Sequence, residues 1–230
     1  VRLADLTWPE VEEGGRGVLV LPVGSIEQHG PHLPLSTDAL IAERVSAALA
    51  AERPEAGLAP PIVYGASGEH ADFPGTMSVG ERALHDVVVE LVRHVSPVWR
   101  AVLVINAHGG NARALARARE LCTYEGRHLG IHHVGLPGMD GHAGRSETAL
   151  MLHLEPDLVR PDRISAGVTQ PLRQLLPRLH AEGVRAVSPT GVLGDPRGAT
   201  AQEGAQLFGE LVERALAAHD RASGGTDDAR

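Results

Sequence analysis

The chain has 230 residues, 43% of them hydrophobic and 22% charged, enough to bury a full core and far from the composition of a disordered segment. A formal net charge of −8 with no basic stripe argues against general nucleic-acid binding. A single cysteine, Cys122, excludes an internal disulfide or a Cys-rich zinc site, and its place late in a helical pattern marks a packed side chain.

Aromatics make up only 3%, so the core must come from Val, Leu, Ile and Ala. GVLVLPV (17–23) reads as a first buried strand. STDALIAERVSAALAAERP then has apolar residues at helical spacing, with Ser36, Thr37 or Asp38 available as caps. LAPPIVYG (58–65) reads as a second strand, weakened by its prolines. A helix from about Glu81 to Val95 leads to a third strand, AVLVINAHGGN, and a helix from about Ala112 to Tyr124 follows. HLGIHHVGL is a further strand candidate, and SETALMLHL opens a short helix. A helix is expected around Pro171 to Leu179, then the turn-rich SPTGVLGDPRGAT and a long Ala-rich terminal helix. Strands separated by amphipathic helices predict an α/β fold with a parallel or mostly parallel sheet covered on both faces. One domain over residues 1–222 is expected, with 223–230 as a frayed tail. No apolar run is long enough to span a bilayer, and no charged, hydrophobic signal region opens the chain, so a cytoplasmic location is expected.

In a parallel sheet, ligand sites form at the carboxyl ends of the strands. Polar clusters fall there repeatedly. Glu27, His29, His32 and Asp38 follow the first strand; Glu69, His70 and Asp72 follow the second; His108 and Asn111 follow the third. Asp140, His142 and Glu147 follow HLGIHHVGL. Five or more carboxylate and imidazole candidates suit two divalent ions with a shared carboxylate better than one. The mixed donor set points to zinc, iron or manganese rather than magnesium. Taken singly, Asp38 reads as a helix cap and His108 as a satisfied polar group; burying them all without a cation would carry several desolvation costs. His132 and His133 lie within a strand, and at most one need face the site. His85, His94, His128, His153, His180 and His219 read as surface or packing residues. No Walker, dinucleotide-binding, nucleophile-elbow or HExxH motif occurs, and nothing marks Ser25 as an activated nucleophile.

LPVGSIEQHGPHLPLSTD, FPGTMSVG, INAHGGN and GHAGRSETALMLHLEPDLV resemble the creatininase family of metal-dependent amidohydrolases, from about Leu19 to Val159. The resemblance implies a three-layer α/β/α domain, with a mostly parallel central sheet, that holds a dinuclear metal centre hydrolysing C–N bonds. Glu27 and His108 would hold one metal, His29 the other, Asp38 would bridge, and His142 would lie beside the substrate. Creatininase carries a glutamate where this chain has Gly110, so the missing ligand must come from elsewhere, and Glu147 is the candidate. Gly141 likewise replaces a creatininase glutamate, which speaks against creatinine as substrate. Glu69, His70, Asp72, Asn111 and Tyr64 are candidates for positioning substrate or bracing ligands. YGASGEH and LLPRLHAEGVRAVSPTGVLGDPRGAT are similar to the mycofactocin-system branch of the family. That similarity implies a peptidase releasing a modified C-terminal Val-Tyr unit from a precursor peptide. Homo-oligomers, often hexamers built from dimers, are the implied assembly. A small-molecule amidohydrolase with the same metals, and a metal-stabilised binding protein, are the competing readings.

Overall fold

A computed structural model describes residues 1–14 and 17–224. Strands β1 (Val18–Val23), β2 (Gly57–Leu58), β3 (Ala101–Asn106) and β4 (Leu129–His133) form an all-parallel sheet in the order β2-β1-β3-β4. The helices are α1 (Trp8–Gly14), α2 (Thr37–Glu52), α3 (Gly80–Val95), α4 (Ala112–Tyr124), α5 (Arg145–Leu154), α6 (Leu172–Glu182), α7 (Val184–Val187) and α8 (Ala201–Gly224).

Strand alternation divides the core in two. Val18, Val20, Leu103 and Ile105 pack with Ile41, Val45 and Leu49 of α2, Leu150 and Met151 of α5, and Leu211 of α8. Leu19, Leu21, Val23, Val102 and Val104 pack on the other face with Leu84, Val88 and Val92 of α3 and Leu115 and Cys122 of α4. Both faces of β1 and β3 are therefore dry, which is why their sequences are continuous apolar runs rather than alternating ones. Each large side chain so buried contributes about 1.5–3 kcal/mol. A smaller cluster, Leu175, Leu179, Val184 and Leu193, seats α6 and α7 beside the loop bearing Phe73.

Several expectations change in detail. The second strand shrinks to Gly57–Leu58, with one further bridge between Val23 and Ile62. Pro22, Pro60 and Pro61 have no N–H to give, so the ladder cannot continue there. The third strand ends at Asn106, which releases His108 into a loop. Helix α1 was not legible: it is short and buries none of its residues. The 171–179 helix runs on to Glu182 despite Pro177. Ser223 and Gly224 close α8, and residues 225–230 of the expected tail lie outside the described residues.

Candidate metal centre

The register sets the site. Val23 pairs with Asn106 and Asn106 with His133, so three strands end level and their loops leave on one edge. Asn111 ties these loops together: its Oδ1 accepts from the Ala66 N–H, and its Nδ2 donates to Gly24 O and Asn106 Oδ1. Asn106 Nδ2 in turn donates to His108 O. One buried pair of carboxamides thus fixes the exits of β1, β2 and β3.

Within that frame three overlapping donor groups form: Glu27, Asp38 and His108; His29, Asp38 and Glu147; and Glu27, His29 and His142. Glu27 Oε2 lies 3.2 Å from His108 Nε2. Asp38 presents Oδ1 to His29 Nε2 at 3.0 Å and Oδ2 to His108 Nδ1 at 3.1 Å. Glu147 Oε2 stands 3.8 Å from His29 Nε2, and His142 Nδ1 3.7 Å from Glu27 Oε1. Two donors on one zinc-like ion sit about 3.3 Å apart, given metal–ligand distances of about 2.0–2.2 Å. The Glu27–His108 and Asp38–His29 spacings of 3.2 and 3.0 Å fall close to that value, while Asp38 Oδ2 meets the other ring nitrogen of His108, of which one ion takes only one. Both Glu27 oxygens are also buried without a hydrogen bond, an orphaned carboxylate that a cation would satisfy.

The charge balance agrees. Burial would raise the Glu27 carboxyl, yet His108 beside it holds it at about 2. Asp38 lies well below the usual carboxylate range, because His29 and His108 outweigh its burial. Burial would lower His29, but the Asp38 charge lifts it to about 10; Glu27 and Asp38 likewise keep His108 well above its ordinary value against its own burial. Two imidazoles therefore serve as counter-cations for two buried carboxylates. A dication supplies the same charge and takes up the ring lone pairs. Around this pair the trend reverses: burial takes His70 down to about 4, holds His142 well below its ordinary value, and lifts Glu147 to about 7.

The sequence candidates divide cleanly by place. Glu27, His29, Asp38, His108, His142 and Glu147 converge. His70 joins them, its Nε2 3.3 Å from Glu27 Oε1. Glu69 reaches His108 Nε2 at 3.7 Å with 30% of its side chain exposed. Asn111 braces loops from within the core rather than facing the opening. Tyr64 is exposed at the start of the 64–79 loop. Asp72 stands away from the cluster, exposed, its carbonyl accepting from Arg185. His32 is buried but turned aside, its Nε2 2.8 Å from Thr148 Oγ1. Asp140 accepts from the N–H groups of Arg145 and Ser146 and so caps α5. Ala143, the one non-glycine residue with positive φ (49°) among the described residues, donates its N–H to Glu147 Oε2 at 2.6 Å.

Gly110 acquires a physical reading. A Cβ there would collide with Glu69 Oε1, Ala66 O and His108 Nε2. A side chain at 110 and the observed position of Glu69 exclude one another. Sequence reasoning missed Gln28, Asn106 and Ser25, whose Oγ donates to Asp38 Oδ2 at 2.8 Å. The first two are carboxamides adjoining donor motifs, a signal that was available.

A parallel α/β/α sheet with carboxylates and imidazoles gathered at its carboxyl edge defines a hydrolase of carbon–nitrogen bonds when set beside known proteins. The chain belongs to the creatininase family: the family model, described as creatinine amidohydrolase, matches residues 4–219. A relative from Mycolicibacterium smegmatis named mycofactocin precursor peptide peptidase is 48% identical over 85% of this chain and 81% of its own length. A relative of the same name from Mycobacterium ulcerans is 44% identical over 96% of this chain and 88% of its own. A solved structure named Creatininase Mn superposes with a TM-score of 0.83 at 28% identity, covering 97% of this chain and 99% of that one.

Proposed function

We propose that this chain is a dinuclear metallopeptidase that cleaves an amide near the C-terminus of a precursor peptide, releasing a modified Val-Tyr unit. The observation that carries the dinuclear reading is Asp38, whose two oxygens belong to two different donor groups. Glu27, Asp38 and His108 would hold one ion, and His29, Asp38 and Glu147 the other. Zinc, iron or manganese fits these donors and would supply Lewis acidity toward water and toward the scissile carbonyl. His142, buried against Glu27 and His29, is the group that would carry a proton to the leaving nitrogen. Glu69, partly exposed beside His108, and the exposed Tyr64 would position the peptide. His70 would brace Glu27 through its Nε2.

The choice of substrate is supported by the similarity to relatives named as precursor peptide peptidases and by Gly110 and Gly141, where the creatininase pattern breaks. We further place the chain in the cytoplasm as a homo-oligomer, with residues 1–222 as one catalytic domain. No described helix is long and apolar enough to cross a membrane. The test is a panel: metal-loaded enzyme with modified precursor, unmodified precursor, creatinine and a formamide-bearing compound, followed by mass spectrometry. Release of the C-terminal unit, lost on chelation and restored by metal, is expected. Rapid deformylation with an untouched precursor would replace the peptidase reading by a small-molecule amidohydrolase.

A further inference from the structure

Gln28 lies between two candidate ligands, is buried, and has a fully occupied carboxamide. Its Oε1 accepts the Gly30 N–H at 2.8 Å, which fixes which end is oxygen. The Nε2 end then faces His70 Nδ1 at 2.8 Å, His142 Nε2 at 3.0 Å and Gly191 O at 3.4 Å. The same His142 Nε2 lies 2.8 Å from the backbone carbonyl of Gln28.

Hydrogen accounting leaves one arrangement. A carbonyl oxygen only accepts, so His142 Nε2 must carry a proton and donate to Gln28 O. That nitrogen cannot also accept from Gln28. The two amide hydrogens therefore go to His70 Nδ1 and Gly191 O. His70 must hold its proton on Nε2, which faces Glu27 Oε1, while His142 has a bare Nδ1 facing the same carboxylate. The site is shaped for this side chain. Gly191 has φ +80°, and a Cβ there would overlap Gln28 Oε1. The turn bearing Gly191 is pinned to His142 by paired backbone bonds between His142 and Leu193.

We propose that Gln28 is a positioning residue that imposes opposite proton placements on two imidazoles: through its carboxamide it makes His70 a donor at Nε2, and through its carbonyl it makes His142 an acceptor at Nδ1. The inference rests on reading the cluster as the catalytic centre. Nδ1 of His142 is then the atom that takes a proton before passing it to the leaving nitrogen, and His70 is excluded as a metal ligand.

The test uses zinc-loaded protein labelled with 15N-histidine, with long-range 1H–15N correlation spectra assigned from His70→Gln and His142→Gln. Wild type should show Nε2–H on both rings. Gln28→Glu has the same shape but offers His70 an acceptor, so His70 should switch to Nδ1–H while His142, held by the backbone carbonyl, stays unchanged. Its kcat should fall about 10–100-fold with KM little changed, the usual cost of losing such an outer partner. Nδ1–H on His70 in wild type, or no switch in Gln28→Glu, overturns the proposal. Should Gln28→Glu fail to fold, the wild-type spectrum alone decides. Loss of the peptidase reading would appear in the substrate panel and leave these spectra untouched.

Discussion

The two donor groups that share Asp38 are built differently. Glu27, Asp38 and His108 are all buried; Glu27 and His108 come from the loops that leave β1 and β3, held by the Asn106–Asn111 pair, and Asp38 from the first turn of α2. The second group adds Glu147, 18% exposed, whose place depends on the start of α5 and on a strained turn at Ala143. Beside the shared Asp38, the first takes both its ligands from strand-end loops, whereas the second takes one from a loop and one from the start of α5. A sheet-anchored group should be stiff and hold its cation tightly. A helix-borne ligand should give the more exchangeable site.

The largest effect is expected from removing what the groups share. Asp38→Ala strips an oxygen from both, leaves His29 without its main counter-charge and leaves His108 with Glu27 alone. Metal analysis of the purified variant should show both ions lost, with activity down by more than the roughly 10–100-fold typical of an outer partner. Two retained ions with near-normal activity would remove Asp38 from the bridging role.

Glu147→Gln should separate the groups. The second site should weaken selectively, while Glu27, Asp38 and His108 keep their ion. Anomalous diffraction would show which position empties. Two full sites with Glu147 turned away would leave it as a first-turn acid favoured by the helix dipole of α5.

Asp140→Ala probes the same contrast from further off. Its carboxylate accepts two N–H groups of the first turn of α5, and losing such a cap costs about 0.5–2 kcal/mol. A lower melting temperature and weaker metal binding at the Glu147 site are expected, with the Glu27–His108 site unaffected. Equal weakening of both would mean that α5 does not distinguish them.

How much of this was readable follows the same division. The layers were legible because β1 and β3 are uninterrupted apolar runs and the helices between them keep a 3.6-residue period. Glu27, His29 and His108 were legible because they follow the ends of buried strands closely, and Asp38 because it opens the helix that follows the same motif. Glu69 and Asp72 were not separable, since three residues of a turn-rich loop decide which carboxylate faces inward. Gln28 was visible as a carboxamide inside the donor motif, but its role was hidden because it depends on Gly191, 163 residues away. Sequence spacing carries no trace of a contact at that range. His32 was misleading for the opposite reason: it lies three residues from His29 in the same motif, yet its ring turns into the α5 side of the core.

That last difference yields the smallest effect. Burial, with the neighbouring charge of His29, lowers His32 to about 4 from an ordinary value near 6.5. Between those values the unfolded chain binds a proton that the native ring refuses, so stability from this group is complete above about pH 6.5 and is lost as pH falls toward 4. A cation on the His29 side, whether proton or metal, pushes the same way. His32→Gln can keep a hydrogen bond to Thr148 Oγ1 but cannot titrate. Denaturant midpoints of wild type and variant, taken in steps from pH 4 to 8, should converge as pH falls and separate to a constant gap above pH 7, with metal content equal in both. A gap independent of pH would show that the ring titrates alike in the native and unfolded states, so that burial does not shift it, and a loss of metal from His32→Gln would bring this residue back to the cluster it was first grouped with.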